Sequence, residues 1–293
     1  MKKKKQLSLY PYWMTAPSII VYSIFYMLPL VAVFVMGFTD WNARRLWEPS
    51  FTGLENFISF LTDRNFSVAL KNTFEFAIVT TIGKTIVGLV LALILVRKLK
   101  GRNFFRTLFF LPCVLNQVVI GLLFTSIFKM HGMFSEVLLN IGVIEKAVEW
   151  LAKPQFSFPI IMFVEIWNWA GLSMMIFIAG LQAIPAEYYE AATIDGATGW
   201  QKFRHVTLPL LMTSFNFCIT IALIGGFKVF TVVHVLTGGG PGYETDIMSR
   251  YSLTMMNAGL YGKAAAASLV QAIIVILISF ALNAFFKKRE VEL

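Results

Sequence analysis

EYYEAATIDGATGWQKFRHVTLPLL, residues 187–211, is a charged, small-residue insert set between two long apolar runs at 156–181 and 208–235. It is too polar to cross a bilayer. Its flanks are not, since each is longer than the ~20 apolar residues a membrane-crossing helix needs. The insert therefore marks a loop at a membrane surface, and the rest of the chain can be read outward from it.

The composition agrees. Of 293 residues, 57% are hydrophobic and 14% charged, with 28 Phe and 7 Trp, which places the chain in the membrane class rather than among soluble domains. Besides 156–181 and 208–235, four more runs qualify as spans: 14–36, 73–96, 104–128 and 264–286. None alternates with the period of two that barrel strands require. The expected fold class is all-α, a polytopic membrane protein of six transmembrane helices. The expected organisation is an N-terminal segment 1–13, one membrane domain 14–286 and a tail 287–293. The opening Met1-Lys2-Lys3-Lys4-Lys5 looks like the start of a signal peptide. The apolar stretch after it is too long for one and has no small-residue cleavage site, so an uncleaved first span is expected.

Lys and Arg set the orientation. The N-terminal lysines, the link carrying Arg97, Lys98, Lys100, Arg102 and Arg106, the insert with Lys202 and Arg204, and the end with Lys287, Lys288 and Arg289 fall on one side if there are six spans. In the opposite loops, acids nearly balance the bases. Both termini and the insert are therefore expected on the cytoplasmic face. This clustering beside apolar runs also accounts for the net charge of +9, without the basic stripe and exposed aromatics of a nucleic-acid binder. Cys113 and Cys218 lie inside apolar runs and read as packing residues. The outer loops 38–72 and 129–155 carry Trp41, Trp47 and Trp150, suited to the interfacial belt, and short surface helices are expected at 132–142 and 144–152.

Within the insert, Pro185 can open a helix. Glu187 and Glu190 then sit near its N-terminus, where the helix dipole favours negative charge. Ala191, Ala192 and Ile194 give a small, smooth face. Gly196, after Asp195, can end the helix in a left-handed conformation. A second short helix over 200–205 leads to Pro209. Two short helices joined by a turn suit a knob that enters a groove on a partner. They suit equally an amphipathic linker resting on lipid headgroups, and composition leaves both open.

EAATIDGA, followed ten residues later by LP, resembles the signature loop of binding-protein-dependent ABC importer permeases. Glu190, Ala191, Ala192, Gly196, Leu208 and Pro209 match the pattern, and Asp195 and Ala197 match its sugar-permease form. Val206 stands where isoleucine is usual. TGGGPG at 237–242, with YPYWMTAPSII near the start and GYET at 242–245, is similar to maltose-type permeases, specifically the half that pairs with a second, different permease. The resemblance covers essentially the whole chain. It implies the ABC type I importer permease fold, a coupling loop at 185–206 docked in the ATPase, and residence in a bacterial-type inner membrane. The implied partners are a homologous permease, a dimer of ATP-binding subunits and an extracellular solute-binding protein. The glycines of TGGGPG themselves read as a tight turn. No G-x-x-x-x-G-K-[ST] sequence is present, so no cofactor is expected on this chain, and ATP with its Mg belongs to the partner ATPase.

Polar residues inside a span are functional candidates because lipid makes them costly. Glu165, Asn168, Trp169 and Leu172 follow i, i+3, i+4, i+7 and share a helix face. Gly225 and Lys228 share another, with Phe227 beside them. Aromatic rings beside hydrogen-bonding groups suit a sugar, and the resemblance places the central sugar site on these two spans. Glu165 and Lys228 lie at similar depth, which permits an ion pair between them. They also read as structural or gating residues without substrate contact. Lys84, Asn116 and Gln117 suit helix–helix hydrogen bonds, and Trp167 is expected to face a neighbour or lipid. Besides a membrane enzyme, which would need clustered catalytic groups that the scattered His131, His205 and His234 do not supply, the carbohydrate reading has two rivals. One is the same machinery carrying glycerol 3-phosphate or a related polyol phosphate. The other is an ion-coupled secondary carrier, which would work without a docking loop.

Overall fold

The structure is a computed structural model that describes residues 12–97 and 99–287. The N-terminal lysines, Lys98, Lys288 and Arg289, and with them most of the terminal segments 1–13 and 287–293, lie outside the described residues. In chain order the helices are α1 (Trp13–Gly37), α2 (Glu55–Ser59), α3 (Arg64–Leu95), α4 (Arg102–Val114), α5 (Gln117–Phe128), α6 (Met133–Asn140), α7 (Pro154–Ala183) and α8 (Ala186–Ile194). They continue as α9 (Gly199–Leu210), α10 (Met212–Phe227), α11 (Thr231–Leu236), α12 (Met248–Asn257) and α13 (Tyr261–Lys287). Among the described residues the only β pairing is an isolated bridge between Thr39 and Phe51. The all-α reading holds. Among the described residues, α1, α3, α7, α13 and the stretch Gln117–Asn140 that joins α5 to α6 are long and apolar enough to cross a membrane, and the pair α9/α10, bent by 65°, is a sixth when taken as one span.

Contacts divide the chain into two units. The first takes the chain up to Thr62 with Ser252–Leu269, and the second takes Asp63–Tyr251 with the chain from Val270 onward.

In the first unit, α1 is apolar and exposed along its length. A wide π turn at Ser23–Met27 precedes Pro29. Proline has no N–H and crowds the carbonyl four residues back, and a wider turn relieves both. The loop after α1 is stitched by side chains. Asn56 Nδ2 donates to Gly37 O (3.0 Å) and Thr39 O (2.8 Å). Asp40 accepts from the Ser50 amide (2.6 Å) and from Arg45 Nη1 (3.1 Å). The Ala43 amide donates to Gly259 O (2.8 Å) and the Gly262 amide to Trp41 O (2.8 Å).

In the second unit, α3 and α7 form the central pair. Their contacts advance together: Gly83 faces Ile166, Lys84 meets Glu165, and Gly88 faces Ser173 and Met174. The two helices are therefore parallel, as spans separated by one other span must be. α10 runs the opposite way, since Gly226 lies against Ala77 while Gly180 faces Leu211 and Ser214. α4 also runs opposite to them. Arg106 Nη2 donates to Leu95 O (3.0 Å) at the end of α3, and the Phe109 carbonyl abuts Gly171 on α7. A side chain at Gly171 would collide with that carbonyl. Glycine is needed there for the backbones to touch, as is common between membrane helices.

Two expected spans are not single helices. The run 104–128 breaks between α4 and α5. Pro112 removes a hydrogen bond inside α4, Leu115 is extended (ψ 148°), and Asn116 caps the next helix by accepting from the Val118 amide (2.8 Å). The run 208–235 bends at Leu211 and ends at Phe227, and α11 follows after a break. A π turn, Phe203–Thr207, precedes Pro209 just as one precedes Pro29. An expected surface helix does form within 132–142, α6, but it continues α5 in one candidate span, Gln117–Asn140. The one at 144–152 shrinks to a single 3-10 turn, Trp150–Ala152.

Candidate functional site

Two features stand out, both in the second unit. The first is the insert. α3 and α7 are parallel, so the basic link after α3 and the polar insert after α7 emerge on the same side. α8 ends in a left-handed residue, Gly196 (φ 73°). The Ala197 amide donates to Ala192 O (2.9 Å) and the Gly196 amide to Thr193 O (3.0 Å), which satisfies the last carbonyls of the helix. Thr198 then opens α9 with a capping box: its hydroxyl accepts from the Gln201 amide while Gln201 Oε1 accepts from the Thr198 amide. Lys202 Nζ donates to Thr193 Oγ1 (2.8 Å), and the Tyr189 and Thr207 hydroxyls share a hydrogen bond (3.1 Å). These bonds brace the two short helices into one knob.

Its outer surface is free of the other described residues. Glu190, Ala191, Asp195 and Gly196 are exposed, Ala192 and Ala197 half-buried, and a Cβ on Gly196 would meet nothing within 4 Å. Ile194 is 86% exposed and Trp200 66%, so among the described residues the knob presents largely uncovered apolar side chains. Leu208 and Pro209 lie at its base, half-buried, one turn before the bend. Leu211 at the bend is fully buried among Ala92, Met174 and Phe177.

The second feature is a cavity of about 210 Å³ within the bundle, lined by residues of α3, α5, α7, α10 and the segment after α10. Of the residues singled out from sequence, Glu165, Trp169, Leu172, Gly225 and Lys228 line it, together with Lys84, Gln117 and Ser173. Asn168 is buried beside it with its Oδ1 unpartnered. Phe227 turns the other way, into the core: its ring meets Phe74 edge-on at 5.1 Å, and its carbonyl accepts from Gln271 Nε2 (2.6 Å).

The permitted Glu165–Lys228 ion pair is not the one formed. Glu165 Oε1 accepts from Lys84 Nζ at 2.8 Å, with both side chains buried. Parallel packing of α3 and α7 puts these two charges at one level, whereas Lys228 caps the end of α10 and stays exposed. Glu165 Oε2 has no hydrogen-bond partner among the described residues. Lys84 could have been ranked higher from sequence, because a lysine deep in a span needs a partner as much as a glutamate does. Its choice of Glu165 could not, because that depends on helix register. Trp167 is 39% exposed and packs edge-on against Phe124. Asn116 serves as a helix cap rather than a bond between helices.

The TGGGP segment is a turn closed by its own hydroxyls. Thr245 Oγ1 donates to Gly240 O (2.7 Å) and shares a hydrogen bond with Thr237 Oγ1 (2.9 Å). Asn72 Nδ2 donates to Glu244 O (2.8 Å) and Asp246 O (2.9 Å), which ties the segment to α3. Asp246 is buried, which raises its carboxyl above the ordinary value, and Arg250 Nε at 2.8 Å opposes that rise. Among the described residues, no group of three or more His, Cys, Asp or Glu is placed to hold a metal.

Membrane-crossing helices, a polar cavity inside their bundle and a braced polar knob where two parallel spans end define a multi-pass membrane transport subunit. The chain belongs to the family described as "Binding-protein-dependent transport system inner membrane component", which residues 84–289 match. It is 32% identical over 291 residues to the probable ABC transporter permease protein YurN of Bacillus subtilis (strain 168), covering 98% of this chain and 99% of that one. It is also 32% identical over 266 residues to the trehalose/maltose transport system permease protein MalF of Thermococcus litoralis, covering 90% and 89%. Its fold is similar to a chain of a bacterial alginate ABC transporter solved in complex with an alginate pentasaccharide-bound periplasmic protein. There the TM-score is 0.82 at 25% identity, over 94% of this chain and 93% of that one. The protein is thus a multi-pass inner-membrane component of an ABC transporter, and the relatives it matches are named as permeases.

Proposed function

We propose that this chain is one of two different permease subunits of an ATP-driven carbohydrate importer. A solute-binding protein delivers the sugar, and a separate dimer of ATP-binding subunits supplies the energy. The observation that carries this reading is the braced, exposed knob of α8 and α9, which bears the importer signature and runs through the bend at Leu211 into α10, a wall of the polar cavity. We place the knob, the coupling loop 185–206, on the cytoplasmic face, with Glu190–Ala197 as the surface that enters the ATPase. ATP-driven closure of the ATPases would move the knob, and the direct α9–α10 connection at Leu211 would carry that motion to the cavity.

The carbohydrate assignment draws on relatives named for trehalose, maltose and alginate. It fits a cavity in which Trp169 offers a ring face and Glu165 Oε2 an unused acceptor. An ion-coupled carrier is unsupported, because membership in a binding-protein-dependent family points to ATP. Nothing in the named relatives supports a polyol phosphate.

The test is a ligand screen on the reconstituted complex, read as binding-protein-stimulated ATPase and as uptake. A neutral or acidic oligosaccharide should stimulate both. Lys228→Ala and Trp169→Ala should lower uptake at normal assembly. Unchanged uptake in both variants would remove these residues from the path.

A further inference from the structure

A second concavity, about 590 Å³ and open to one side, lies behind the knob, where α3 and α7 end. Its wall is apolar: Leu93 and Val96 from the end of α3, Leu181 from α7 and Phe203 from α9. Its charged lining is basic, Arg97 and Lys202, with the Thr207 hydroxyl beside them, and no described Asp or Glu contributes to it. Tyr189 and Trp200 also line it, and these ring types favour the depth where hydrocarbon meets water.

Neither cation is used up among the described residues. The carbonyl of Leu95 at the end of α3 accepts from Arg106, while Arg97 is exposed and forms no ion pair among the described residues. Lys202 gives one hydrogen to Thr193, which leaves two donors on its ammonium group. A groove with a hydrocarbon wall, a cationic rim and no acid, set where spans end, complements an amphipathic anion. A neutral zwitterionic lipid gains less there, because its own cation would face Arg97 and Lys202.

We propose that this groove binds an anionic phospholipid, with its phosphodiester at Arg97 and Lys202 and one acyl chain along Leu93, Val96 and Leu181. Basic pockets between membrane helices hold acidic headgroups for the same electrostatic reason. The bound lipid would form the back wall of the knob, so the anionic lipid content of the membrane would set how firmly the knob is held. The site is independent of which solute passes through the cavity.

The experiment uses the complete transporter, reconstituted in nanodiscs of phosphatidylcholine with or without phosphatidylglycerol, then released and analysed by native mass spectrometry. The parent complex should retain phosphatidylglycerol in preference to phosphatidylcholine. Arg97→Gln should lower that preference about fivefold, as expected for one cation near a headgroup. Leu93→Trp, which fills the groove, should lower retention of both lipids. Arg97→Lys, which keeps the charge, should preserve the preference and so separate lost charge from faulty assembly. Equal retention of the two lipids by the parent would overturn the proposal. So would a preference indifferent to Arg97→Gln and Leu93→Trp, or a cysteine at position 97 that cross-links to the ATPase, which would show the groove filled by protein.

Discussion

Lys84 and Glu165 form a buried ion pair at 2.8 Å between two parallel helices, 81 residues apart in sequence. Each charge makes the other tolerable, and one oxygen of the carboxylate remains free beside the cavity. Lys84→Met should destabilise the second unit by about 3–5 kcal/mol, because Glu165 is then left buried and uncompensated. The double variant Lys84→Met/Glu165→Leu should recover most of that loss. Thermal unfolding of the purified complex measures both. If the single variant proves as stable as the parent, the pair does not stabilise the packing of α3 on α7. If the stable double variant transports normally, Glu165 does not touch the solute.

Gly171 lets the Phe109 carbonyl of α4 rest on α7. Gly171→Val should cost about 1–3 kcal/mol or more, because the obstacle is backbone and cannot rotate away. The expected sign is reduced accumulation in the membrane and a lower unfolding midpoint. An unchanged midpoint would mean that α4 moves freely.

Gly196 holds the turn of the knob at φ 73° with open space around it. Gly196→Ala should therefore cost only about 1 kcal/mol, from backbone strain alone. Gly196→Trp adds bulk on the docking surface and should uncouple ATP hydrolysis from uptake or block assembly with the ATPase. Normal assembly and uptake in that variant would count against docking at this surface. Ile194→Asp should weaken assembly as well.

Tyr251 donates its hydroxyl to Asp63 Oδ2 at 2.7 Å, and Asp63 also caps α3 by accepting from the Asn65 amide. Burial and the neighbouring carboxylate push the phenol well above its ordinary value, so it stays protonated throughout the working range. Tyr251→Phe should cost about 1.5–3 kcal/mol, the usual worth of a hydrogen bond to a charged acceptor. Hydrogen exchange in the first turn of α3 should rise. No change there would show that the hydroxyl is dispensable.

Asp40 is held below its ordinary value first by the Ser50 amide and, to a smaller degree, by Arg45. A carboxylate whose folded value is depressed stabilises the fold above its unfolded value, near 3.9, and loses that effect as pH falls through the folded value. Protection of the Ser50 amide should thus be steady from neutral pH down to about 4 and fall below it. Asp40→Asn should abolish the pH dependence. Persistent protection at pH 2 in the parent would contradict the assignment.

Much of this was visible in local sequence. The runs 14–36, 73–96, 156–181 and 264–286 correspond to long helices, because hydropathy over some 20 residues is a local property that the bilayer reads directly. The knob was legible too. Pro185, Gly196 and the small residues between them act through backbone geometry within a few positions. The breaks at Leu115 and Leu211 were hidden. The hydropathy of 104–128 and 208–235 does not fall where Pro112, Asn116 and Leu211 redirect the backbone.

Sequence alone therefore determined that the chain is a helical membrane protein, where it crosses the bilayer, and which insert projects from it. Tertiary structure decided that Lys84 rather than Lys228 neutralises Glu165, that Phe227 packs in the core while Trp169 and Gly225 line the cavity, and that a basic groove opens behind the knob. The first set depends on apolar length and on capping within one turn. The second depends on the register and direction of helices far apart in the chain, which only their packing fixes.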